Sequence, residues 1–381
     1  MKLARGTLCR ATFVDRPNRF LVRCDADGIG RVRAFVANPG RMHELLLPGA
    51  RLYLDRLNAA DAGARRKTAW TVQAVERDGR PICLNTHATN RVARFLIERG
   101  RIPTLEGASV LRTEIPVGRS RFDLLLEHRG RKIFTEVKSV TLYGNGVAMF
   151  PDAVTARGRR HLLELAELAR RGRDTQVLFI VHTPQVEWFM PDFHTDPQFA
   201  EALLEVHRDL PILAVAVSWR RDLRLGTVVK PLEIPWDWIG REARDAGAYL
   251  LILRLPRPRT INVGGLGRVR FKKGFYVYIG SAVKNLSRRL ERHKRKRKRL
   301  HWHIDYFAEV ADEITPLPVR ASASLEQPLV RAVGQIMSPG PIGFGASDSP
   351  CNTHLFHGPT PPLEDPRFHE VLQRFRMRGP E

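Results

Sequence analysis

Short β-type segments fill residues 1–84, where small groups of apolar residues recur between turn-forming Gly, Pro and Asn. Several short strands separated by such turn signals are typical of a small barrel or sandwich. The predicted strands cover residues 12–14, 20–23, 32–37, 51–57 and 69–75. The length of this segment favours a five-stranded barrel of the OB type.

The pattern changes after residue 85 to an alternation of helices and strands that extends to residue 230. Residues 91–99 and 158–171 have helical periodicity, and a glycine follows each of these helices. Strands are predicted at residues 112–117, 122–128, 132–137, 176–181 and 212–217. The last two are continuous apolar runs, as in strands that are buried on both faces. This order of elements predicts an α/β domain.

The prolines of residues 231–245 predict a linker, and a third unit follows at residues 246–362. Residues 363–381 are predicted to form a helical tail. The expected fold is therefore multidomain, with an OB-like β-barrel at residues 1–84, an α/β domain at residues 85–230 and an α+β domain after the linker.

The net charge of the chain indicates the class of its binding partner. Among 381 residues there are 63 Lys and Arg against 40 Asp and Glu, which gives a net charge of +23. Basic side chains neutralise phosphates and release counterions, so this charge favours a nucleic acid as partner. A ribosome-associated protein or a generally basic proteome would also explain it. The 43% of hydrophobic residues excludes a disordered basic tail.

Cysteine usage and the N-terminal residues indicate the compartment. The four cysteines are scattered and form no C-x-x-C pair, so neither a zinc knuckle nor a redox motif is predicted. Sparse cysteines of this kind suit a reducing cytoplasm. Residues 1–10 lack the apolar run of a signal peptide, and no apolar stretch is long enough for a membrane span. We therefore expect a cytoplasmic protein with no membrane partner.

Acidic and basic side chains gather at one end of a predicted hairpin in the α/β domain. Its strands are joined by residues 128–131, whose sequence HRGR supplies the turn. Side chains alternate along a strand, so Glu136 and Lys138 share one face. In an antiparallel pair, Asp123 near the start of one strand lies beside Glu136 near the end of the other.

This set of two acids and a lysine suits phosphodiester cleavage. Asp123 and Glu136 can hold a hard divalent cation such as Mg²⁺ or Mn²⁺. The metal activates water and offsets the charge that develops on the phosphate, and Lys138 can orient that water. The spacing matches the acid and E-x-K elements of PD-(D/E)XK nucleases. The alternative is a solvated strand face with a salt bridge, because D…E-x-K also arises by chance.

Longer segments resemble the sugar fermentation stimulation protein (SfsA) family over residues 5 to about 220. They are ANPGRM at residues 37–42, SRFD at 120–123, TEVKSVTL at 135–142, FPDAVT at 150–155, RG at 157–158 and HL at 161–162. The resemblance implies an OB-like first domain and a PD-(D/E)XK nuclease-like second domain. It also implies DNA binding and a regulatory role in sugar metabolism, and it leaves enzymatic activity open.

The segment FPDAVTARG leads into the helix that follows the hairpin. Asp152 is expected to cap this helix. Arg157 and His161 lie one turn apart, so both can face one site. Arg157 would contact a phosphate, and His161 would support the residues that bind it. Alternatively, both are helix-surface residues that pair with Asp152 or Glu164. Glu114 is a further candidate metal ligand, although simple strand polarity also explains it.

The third domain presents an ordered set of polar residues that resembles the GIY-YIG nuclease arrangement. The set comprises two strand tyrosines, a helix arginine and histidine, and a downstream glutamate: Tyr249, Tyr278, Arg289, His293 and Glu326. The glutamate can hold one divalent ion on the phosphate, a tyrosine can act as base, and the arginine offsets phosphate charge. The alternative is a scatter of polar residues in an ordinary basic domain.

Element geometry predicts that these five residues face one pocket. Tyr276 and Tyr278 share one strand face, while the aliphatic residues beside them face the core. Gly280 is expected to allow a sharp turn between this strand and the following helix. Glu326 is assigned to a later helix, which tolerates Pro328 in its first turn.

Residues 247 to about 357 further resemble the GIY-YIG-like domain of unknown function that is found fused to endonuclease III. HWHIDY at residues 301–306 and GFGASD at residues 343–348 carry this resemblance. Three features depart from it, namely the long insert at residues 256–273, Gln327 after the glutamate, and Ser349. The last two replace cysteines of the family, which puts a cysteine-based metal site in doubt.

Two further clusters in this domain carry alternatives. His301, His303 and Asp305 would share a face if their segment were a strand, and could then hold a metal. More often such a cluster packs and hydrogen-bonds around an active site. An uninterrupted basic run consists of Lys294, Arg295, Lys296, Arg297, Lys298 and Arg299. It predicts a surface that binds nucleic-acid phosphates, and its alternative is a solvated loop.

OB folds bind single strands by stacking bases on aromatic rings over a basic groove. The barrel segment offers Phe13, Phe20, Phe35, Tyr53 and Trp70, most of which are expected in its core. Arg41, in the tight loop NPGR, can touch a backbone phosphate.

The sequence therefore predicts a DNA-binding protein with metal-dependent nuclease capacity in at least one of two sites. The first alternative is a non-catalytic DNA-binding transcriptional regulator of sugar metabolism that keeps nuclease folds as scaffolds. The second is an RNA-processing or translation-linked factor, because basic charge does not distinguish RNA from DNA. Substrate structure, the metal and the oligomeric state stay open.

Overall fold

A computed structural model describes residues 1–4, 6–56, 68–118, 120–346 and 350–380. The predicted strand end at Leu57 and the departure at Ser349 lie outside these residues. The chain divides into two compact units, which are treated separately below. Unit one comprises residues 1–192 and 196–236, and unit two comprises residues 193–195 and 237–380. No helix in the described ranges is long and apolar enough to cross a membrane.

The first part of unit one is a closed β-barrel. Its strands are β1 (Thr7–Asn18), β2 (Leu21–Ala26), β3 (Gly30–Val36), β4 (Arg51–Arg56), β5 (Trp70–Arg77) and β6 (Arg80–Cys83). They pair in the order β3-β2-β1-β4-β5-β6, and a parallel pairing of β3 with β5 closes the barrel. The predicted five-stranded OB-like barrel is thereby confirmed, with β6 as an added hairpin strand.

Strand β1 makes this closure possible because it pairs with β4 along its first half and with β2 over most of its length. Two register shifts lie between Phe13 and Asn18. Such bulges bend a strand and increase its twist, which lets one strand serve both sides of a barrel. The inward side chains, among them Phe13, Val22 and Leu52, are buried in the core.

The rest of unit one is an α/β domain, as predicted. Its elements are α1 (Thr89–Glu98), β7 (Ser109–Val117), β8 (Ser120–His128), β9 (Arg131–Val140), β10 (Leu142–Gly144), β11 (Val147–Phe150), α2 (Ala156–Arg170), β12 (Asp174–Val181), β13 (Trp188–Pro191), α3 (Pro197–Val206), β14 (Ile212–Trp219) and β15 (Leu225–Pro231). The main sheet has the order β15-β14-β12-β9-β8-β7, and β10, β11 and β13 form a small second sheet.

The central strands of the main sheet explain the continuous apolar runs in the sequence. Strand β12 runs parallel to both β9 and β14. All but the first of its residues are buried, with helices α2 and α1 among its contacts. The β8–β9 hairpin adds an antiparallel edge in the predicted register, in which His128 pairs with Arg131.

Unit two is an α+β domain. Its elements are α4 (Trp236–Glu242, which begins at the last residue of unit one), β16 (Gly247–Leu255), β17 (Arg259–Asn262), β18 (Arg268–Phe271), β19 (Gly274–Ala282), α5 (Leu286–Lys294), α6 (His303–Val310), β20 (Glu313–Arg320), α7 (Glu326–Gly334), β21 (Ser338–Pro339), β22 (Leu355–Gly358) and α8 (Pro366–Arg376). The sheet order is β20-β16-β19-β22-β21, and β17 and β18 form a separate ribbon.

Strand β19 divides this domain into two hydrophobic clusters. Val277 and Ile279 belong to the cluster that contains helices α7 and α8. Tyr276 and Tyr278 belong to the opposite cluster, which contains helices α5 and α6. The alternation that the sequence predicts for this strand is confirmed.

One segment has more structure than the sequence suggested, because helix α4 lies within the predicted linker. The helix predicted for the C-terminal tail is confirmed as α8. Phe368, Leu372 and Phe375 of α8 are buried in the same cluster as Val277, so this helix is an integral part of the core. The exact domain boundaries remain predictions. None of the four cysteines, all of which lie within the described ranges, forms a disulfide bond.

Candidate functional site

The β8–β9 hairpin brings two predicted acids together. Leu124 pairs with Thr135, and continuing this antiparallel register places Asp123 opposite Glu136. The Asp123 carboxylate is held from two sides: Oδ2 accepts from the Val137 amide at 2.8 Å, and Oδ1 accepts from the Asn90 side chain at 2.7 Å.

Glu136 is buried and asymmetrically bonded. Its Oε1 atom accepts from Lys138 Nζ at 2.5 Å and from His161 Nδ1 at 2.6 Å. Its Oε2 atom is also buried, yet has no hydrogen-bond partner within the described residues. A buried carboxylate oxygen without a donor is costly unless something else satisfies it. One oxygen of Glu136 is thus committed to the protein and the other is available.

Burial and neighbouring charges push the pKa values of the two carboxyl groups apart. Burial, and then the charge of Glu136, raises the pKa of Asp123 to about 6. Burial would also raise the pKa of Glu136, but the hydrogen bond from His161 and the charge of Lys138 outweigh it and lower that pKa. Pairs of acids separated in this way are characteristic of functional sites.

Helix α2 supplies two more polar groups, as predicted. Arg157 Nε lies 3.4 Å from His161 Nε2 and donates to it, so the imidazole accepts there and donates to Glu136 from Nδ1. His161 is only 2% exposed, which contradicts the alternative of a helix-surface residue. The ion pair of Glu164 is with Arg160 instead.

The predicted helix cap was wrong. The residue that caps α2 is Thr155, whose side chain accepts from the Gly158 amide at 3.0 Å. Asp152 instead accepts from the Met42 amide in the barrel at 3.3 Å. Burial raises the pKa of Asp152 to about 6. Asp152 is therefore bonded to the barrel and does not cap helix α2.

The barrel forms one wall of the same cavity. Asp123, Glu136, Lys138 and Arg157 line an open cavity of about 810 Å³ together with barrel residues Arg19, Asn38, Pro39 and Gly40. Glu114 also lines it, although its exposed side chain lies 3.8 Å from Arg121. Barrel and α/β domain therefore contribute jointly to the site.

The barrel loop at residues 38–42 is held tightly against this wall. Arg16 donates to the carbonyls of Asn38 and Gly40 at 2.9 and 2.7 Å, and also to that of Arg41. A Cβ atom on Gly40 would lie 2.2 Å from the Asp152 carboxylate, so only glycine fits there. This arrangement leaves Arg41 exposed at the loop surface, as the phosphate-contact prediction requires.

Unit two contains a second polar pocket. It has a volume of about 350 Å³, and its lining includes Tyr249, Tyr278, Arg289 and Glu326. Arg289 donates to the Ser281 carbonyl at 2.7 Å. Four of the five predicted residues therefore share one pocket.

The fifth residue, His293, lies behind the pocket. Its side chain is buried, and Nε2 lies 2.9 Å from the Tyr249 hydroxyl. Burial, and then the charge of Lys298, lowers the pKa of His293 to about 4, so the imidazole is neutral and can accept from the tyrosine. His293 positions Tyr249.

Glu326 is fixed by two polar partners in the second pocket. Ser281 Oγ hydrogen-bonds one carboxylate oxygen, and His354 Nδ1 lies 3.1 Å from the other. Burial would raise the pKa of Glu326, but hydrogen bonds from His354 and Ser281 lower it. The carboxylate is ionised and oriented near Arg289.

The role predicted for Gly280 was wrong. Strand β19 continues to Ala282, so no turn occurs at Gly280. Gly280 pairs directly with Tyr249, and a Cβ atom there would lie 2.5 Å from the tyrosine hydroxyl. The glycine leaves room for Tyr249, and the left-handed residue before α5 is Asn285.

The strand interpretation of His301, His303 and Asp305 was also wrong, because helix α6 begins at His303. Asp305 accepts from the backbone amides of His301 and Trp302 and from Arg292. Among the described residues, no group of three or more His, Cys, Asp or Glu could hold a metal ion. Asp305 therefore stabilises the helix start, whereas His301 and His303 line the second pocket.

Most of the predicted basic run is exposed. The exposed members are Lys294, Arg295, Lys296, Arg297 and Arg299. Lys298 differs, because its side chain is 5% exposed, donates to the His293 carbonyl at 2.9 Å and lies 3.5 Å from Asp305. Lys298 is therefore a structural cation and is removed from the predicted phosphate surface.

Several residues of both pockets had no recognisable sequence signal. They are Asn90 at the first cavity, and Ser281 and His354 at the second. Asn90 is 33 positions from Asp123 and on a different element. Such contacts depend on tertiary packing, which residue spacing does not encode.

Three family models match this chain. The SfsA N-terminal OB domain matches residues 14–84, and the sugar fermentation stimulation protein RE domain matches residues 87–222. The domain of unknown function DUF123 matches residues 248–377.

Curated relatives resemble the first part of the chain. A sugar fermentation stimulation protein homolog of Moorella thermoacetica is 41% identical over 201 residues, which are 52% of this chain and 85% of that protein. A homolog of Methanothermobacter thermautotrophicus is 34% identical and covers 61% of this chain and 94% of its own. The structure of Pyrococcus furiosus SfsA in complex with Ca²⁺ is similar with a TM-score of 0.56 and 30% identity, covering 61% of this chain and 99% of that one.

Proposed function

Because this chain belongs to the sugar fermentation stimulation protein family, we propose that its α/β domain is a metal-dependent phosphodiesterase that acts on DNA. Asp123, Glu136 and Lys138 are its catalytic residues. Arg157 and Arg41 bind phosphates of the substrate.

The observation that carries this proposal is the free oxygen of Glu136. Its Oε2 atom is buried without a partner among the described residues, beside an Asp123 carboxyl whose pKa Glu136 helps to raise. A divalent cation would satisfy this oxygen and remove the repulsion between the two acids. The Ca²⁺ complex of the Pyrococcus furiosus relative supports a cation at this fold.

Asp123 and Glu136 would hold Mg²⁺ or Mn²⁺, which when bound supplies a Lewis acid for phosphodiester hydrolysis. The other residues prepare the site. Lys138 and His161 fix one oxygen of Glu136, and Asn90 fixes Asp123. Arg157 lies at the cavity wall, where its charge can offset that of a phosphate.

Purified protein incubated with single-stranded, duplex and branched DNA and RNA, in Mg²⁺ or Mn²⁺, tests this function. Glu136→Gln should abolish cleavage and weaken metal binding in calorimetry, while DNA binding persists. Glu127→Gln is the matched control, because Glu127 is an exposed residue near the far end of the same hairpin. Undiminished cleavage by Glu136→Gln would show that this site does not catalyse the reaction.

The pocket of unit two supports a second nuclease site of the GIY-YIG type. Tyr249, Tyr278 and Arg289 line this pocket together with Glu326, which would hold the cation. Its contribution is tested by Arg289→Ala in the full chain that also carries Glu136→Gln. Any cleavage that survives Glu136→Gln should disappear in this double variant, whereas Arg288→Ala, a change at the exposed neighbour, should leave it intact.

One observation favours a non-catalytic DNA-binding regulator of sugar metabolism instead. Oε1 of Glu136 is already occupied by Lys138 and His161, and no three candidate ligands converge among the described residues. A regulator of this kind would bind DNA with normal affinity and cleave none of the substrates above in either metal. The same assay therefore separates the two functions.

A further inference from the structure

Three aromatic rings form a row on the outside of the barrel. Phe20 and Phe35 stack with their ring centroids 6.4 Å apart and an angle of 20° between the ring planes. Phe35 and His87 continue the row at 6.4 Å and 37°. Phe20 follows β1, Phe35 lies in β3, and His87 precedes α1, so three distant segments build one surface. These three residues are called the ring ladder below.

Exposure separates the ring ladder from the other barrel aromatics. Phe20 is 45% exposed, Phe35 is half-buried and His87 is exposed. In contrast, Phe13 and Tyr53 are buried in the interior. An exposed row of rings on a small barrel has no role in the core, whereas flat rings presented to solvent are suited to stacking against other flat rings.

Positive charge accompanies the ladder. Arg33 lies two residues from Phe35 on β3 and therefore on the same strand face, and it is exposed. Arg19 directly precedes Phe20 and is also exposed. Within the described residues neither arginine makes an ion pair, whereas Arg23 on the neighbouring strand pairs with an aspartate. Both guanidinium groups are available for an anionic partner.

The ladder is continuous with the cavity of the α/β domain. His87 at one end of the ladder and Arg19 beside its other end both line the cavity that contains Asp123 and Glu136. A polymer lying along the rings would therefore enter that cavity.

We propose that the ring ladder binds unpaired bases of a single-stranded nucleic acid and leads that strand into the Asp123–Glu136 cavity. Flat, unpaired bases stack on the rings, and Arg19 and Arg33 contact the backbone phosphates. A duplex is disfavoured because its base faces are already covered by neighbouring bases. The substrate class of the phosphodiesterase is accordingly a single strand or a single-stranded end. Only this last statement rests on the proposed function, because binding requires no catalysis.

Binding is measured by fluorescence anisotropy with labelled oligo-dT, oligo-rU and a DNA hairpin duplex, in EDTA so that no metal-dependent cleavage occurs. The wild type should bind the single strands more tightly than the duplex. Phe20→Ala should weaken single-strand binding about tenfold, because it removes one ring on which a base stacks. Leu111→Ala is the matched control, because Leu111 is an equally exposed apolar residue, at 45%, on β7.

Salt dependence separates the rings from the arginines. Phe20→Ala should leave the slope of log affinity against log salt unchanged, because stacking releases no counterions. Arg33→Gln should reduce the magnitude of that slope by about 0.7, the value for one phosphate contact on a single strand. Phe20→Tyr retains a flat ring at this exposed position and should bind the single strands as tightly as the wild type.

Equal binding by Phe20→Ala and Leu111→Ala, or a duplex preferred over both single strands, would overturn the ladder. Comparison of oligo-dT with oligo-rU tells DNA from RNA within the proposed class. Failure of the nuclease proposal is recognised separately, because Glu136→Gln or an inactive wild type would still bind oligo-dT through the ladder.

Discussion

Individual contacts decide what Glu136 can do. Lys138 and His161 share its Oε1 atom and leave Oε2 without a partner among the described residues. His161 is itself fixed by Arg157, which donates to its other ring nitrogen. A chain of hydrogen bonds therefore orients the carboxylate before any ligand arrives. Preorganisation of this kind reduces the reorganisation that binding or catalysis would otherwise require.

Asp152 should make stability depend on pH. Burial raises its pKa to about 6, so the folded state retains a proton that the unfolded state releases near pH 4. The contribution of Asp152 to stability should therefore decrease as pH rises from about 4 to 6 and stay constant above. Asp152→Asn should raise the melting temperature by about 2–4 °C at pH 7.5, with little gain at pH 4.

The matched control for this change is Asp209→Asn, because Asp209 is an exposed residue in a surface ion pair with Arg170. Such a pair contributes little to stability. Its melting temperature should follow the wild type at every pH. An Asp152→Asn protein with the same pH profile as wild type would show that the pKa of Asp152 is the same in the folded and unfolded states.

Gly280 should tolerate no side chain. A Cβ atom there would lie 2.5 Å from the Tyr249 hydroxyl and displace it from His293. Gly280→Ala should lower the free energy of unfolding by about 1–3 kcal/mol, measured by denaturant titration. Gly265→Ala is the control, because a Cβ atom at Gly265 meets nothing within 4 Å. Partial rescue by Tyr249→Phe in the Gly280→Ala background would confirm the contact, whereas equal stability of the two alanine variants would contradict it.

At the scale of elements, each pocket is built from a strand pair and a helix that begins beside it. In unit one, hairpin β8–β9 provides the acids and helix α2 provides Arg157 and His161. In unit two, strands β16 and β19 provide the tyrosines and helix α5 provides Arg289. Because side chains on a strand alternate, one face supplies polar groups while the other enters the core.

The start of helix α2 should be sensitive to Thr155. Its side chain accepts from the Gly158 amide at 3.0 Å, which satisfies one of the free amides of the first turn. Thr155→Ala should cost about 1 kcal/mol in unfolding free energy, and Thr155→Ser should recover most of it. Equal losses in both variants would show that the methyl group matters and the cap does not.

Local patterns predicted the elements and the pairing of Asp123 with Glu136. The alternation in β19 and the turn at residues 128–131 are properties of adjacent residues, so the sequence contains them. The bond between His161 and Glu136 spans 25 positions and depends on how α2 packs on the sheet. Residue spacing therefore predicts which side chains share a strand face, but it does not predict hydrogen bonds between distant elements such as that of His161 with Glu136.

Two errors have the same physical origin. Asp152 precedes a helix and has a good capping side chain, but the barrel competes for it through the Met42 amide. Lys298 belongs to a basic run, but the buried Asp305 draws its ammonium group inward. In both cases a tertiary partner overrides a local preference that the sequence displays correctly.

At the scale of the whole molecule, positive charge is available in both units. Unit one presents Arg19, Arg33 and Arg41 on the barrel, and unit two presents an exposed basic run after α5. Each unit therefore combines a polar pocket with its own exposed arginines. A net charge of +23 requires that binding to any nucleic acid include a large electrostatic contribution.

The basic run should control the salt dependence of duplex DNA binding. Each lost phosphate contact reduces the slope of log affinity against log salt by about 0.9, so neutralising four contacts reduces it by up to about 3.6. The test variant replaces Lys294, Arg295, Lys296 and Arg297 by glutamine, and these four residues are exposed. Its melting temperature should stay unchanged. An unchanged slope in this fourfold variant would mean that the run is merely solvated.

Lys298→Gln should leave the slope of log affinity against log salt intact. It should lower the free energy of unfolding by about 1–3 kcal/mol, because Asp305 loses a buried partner.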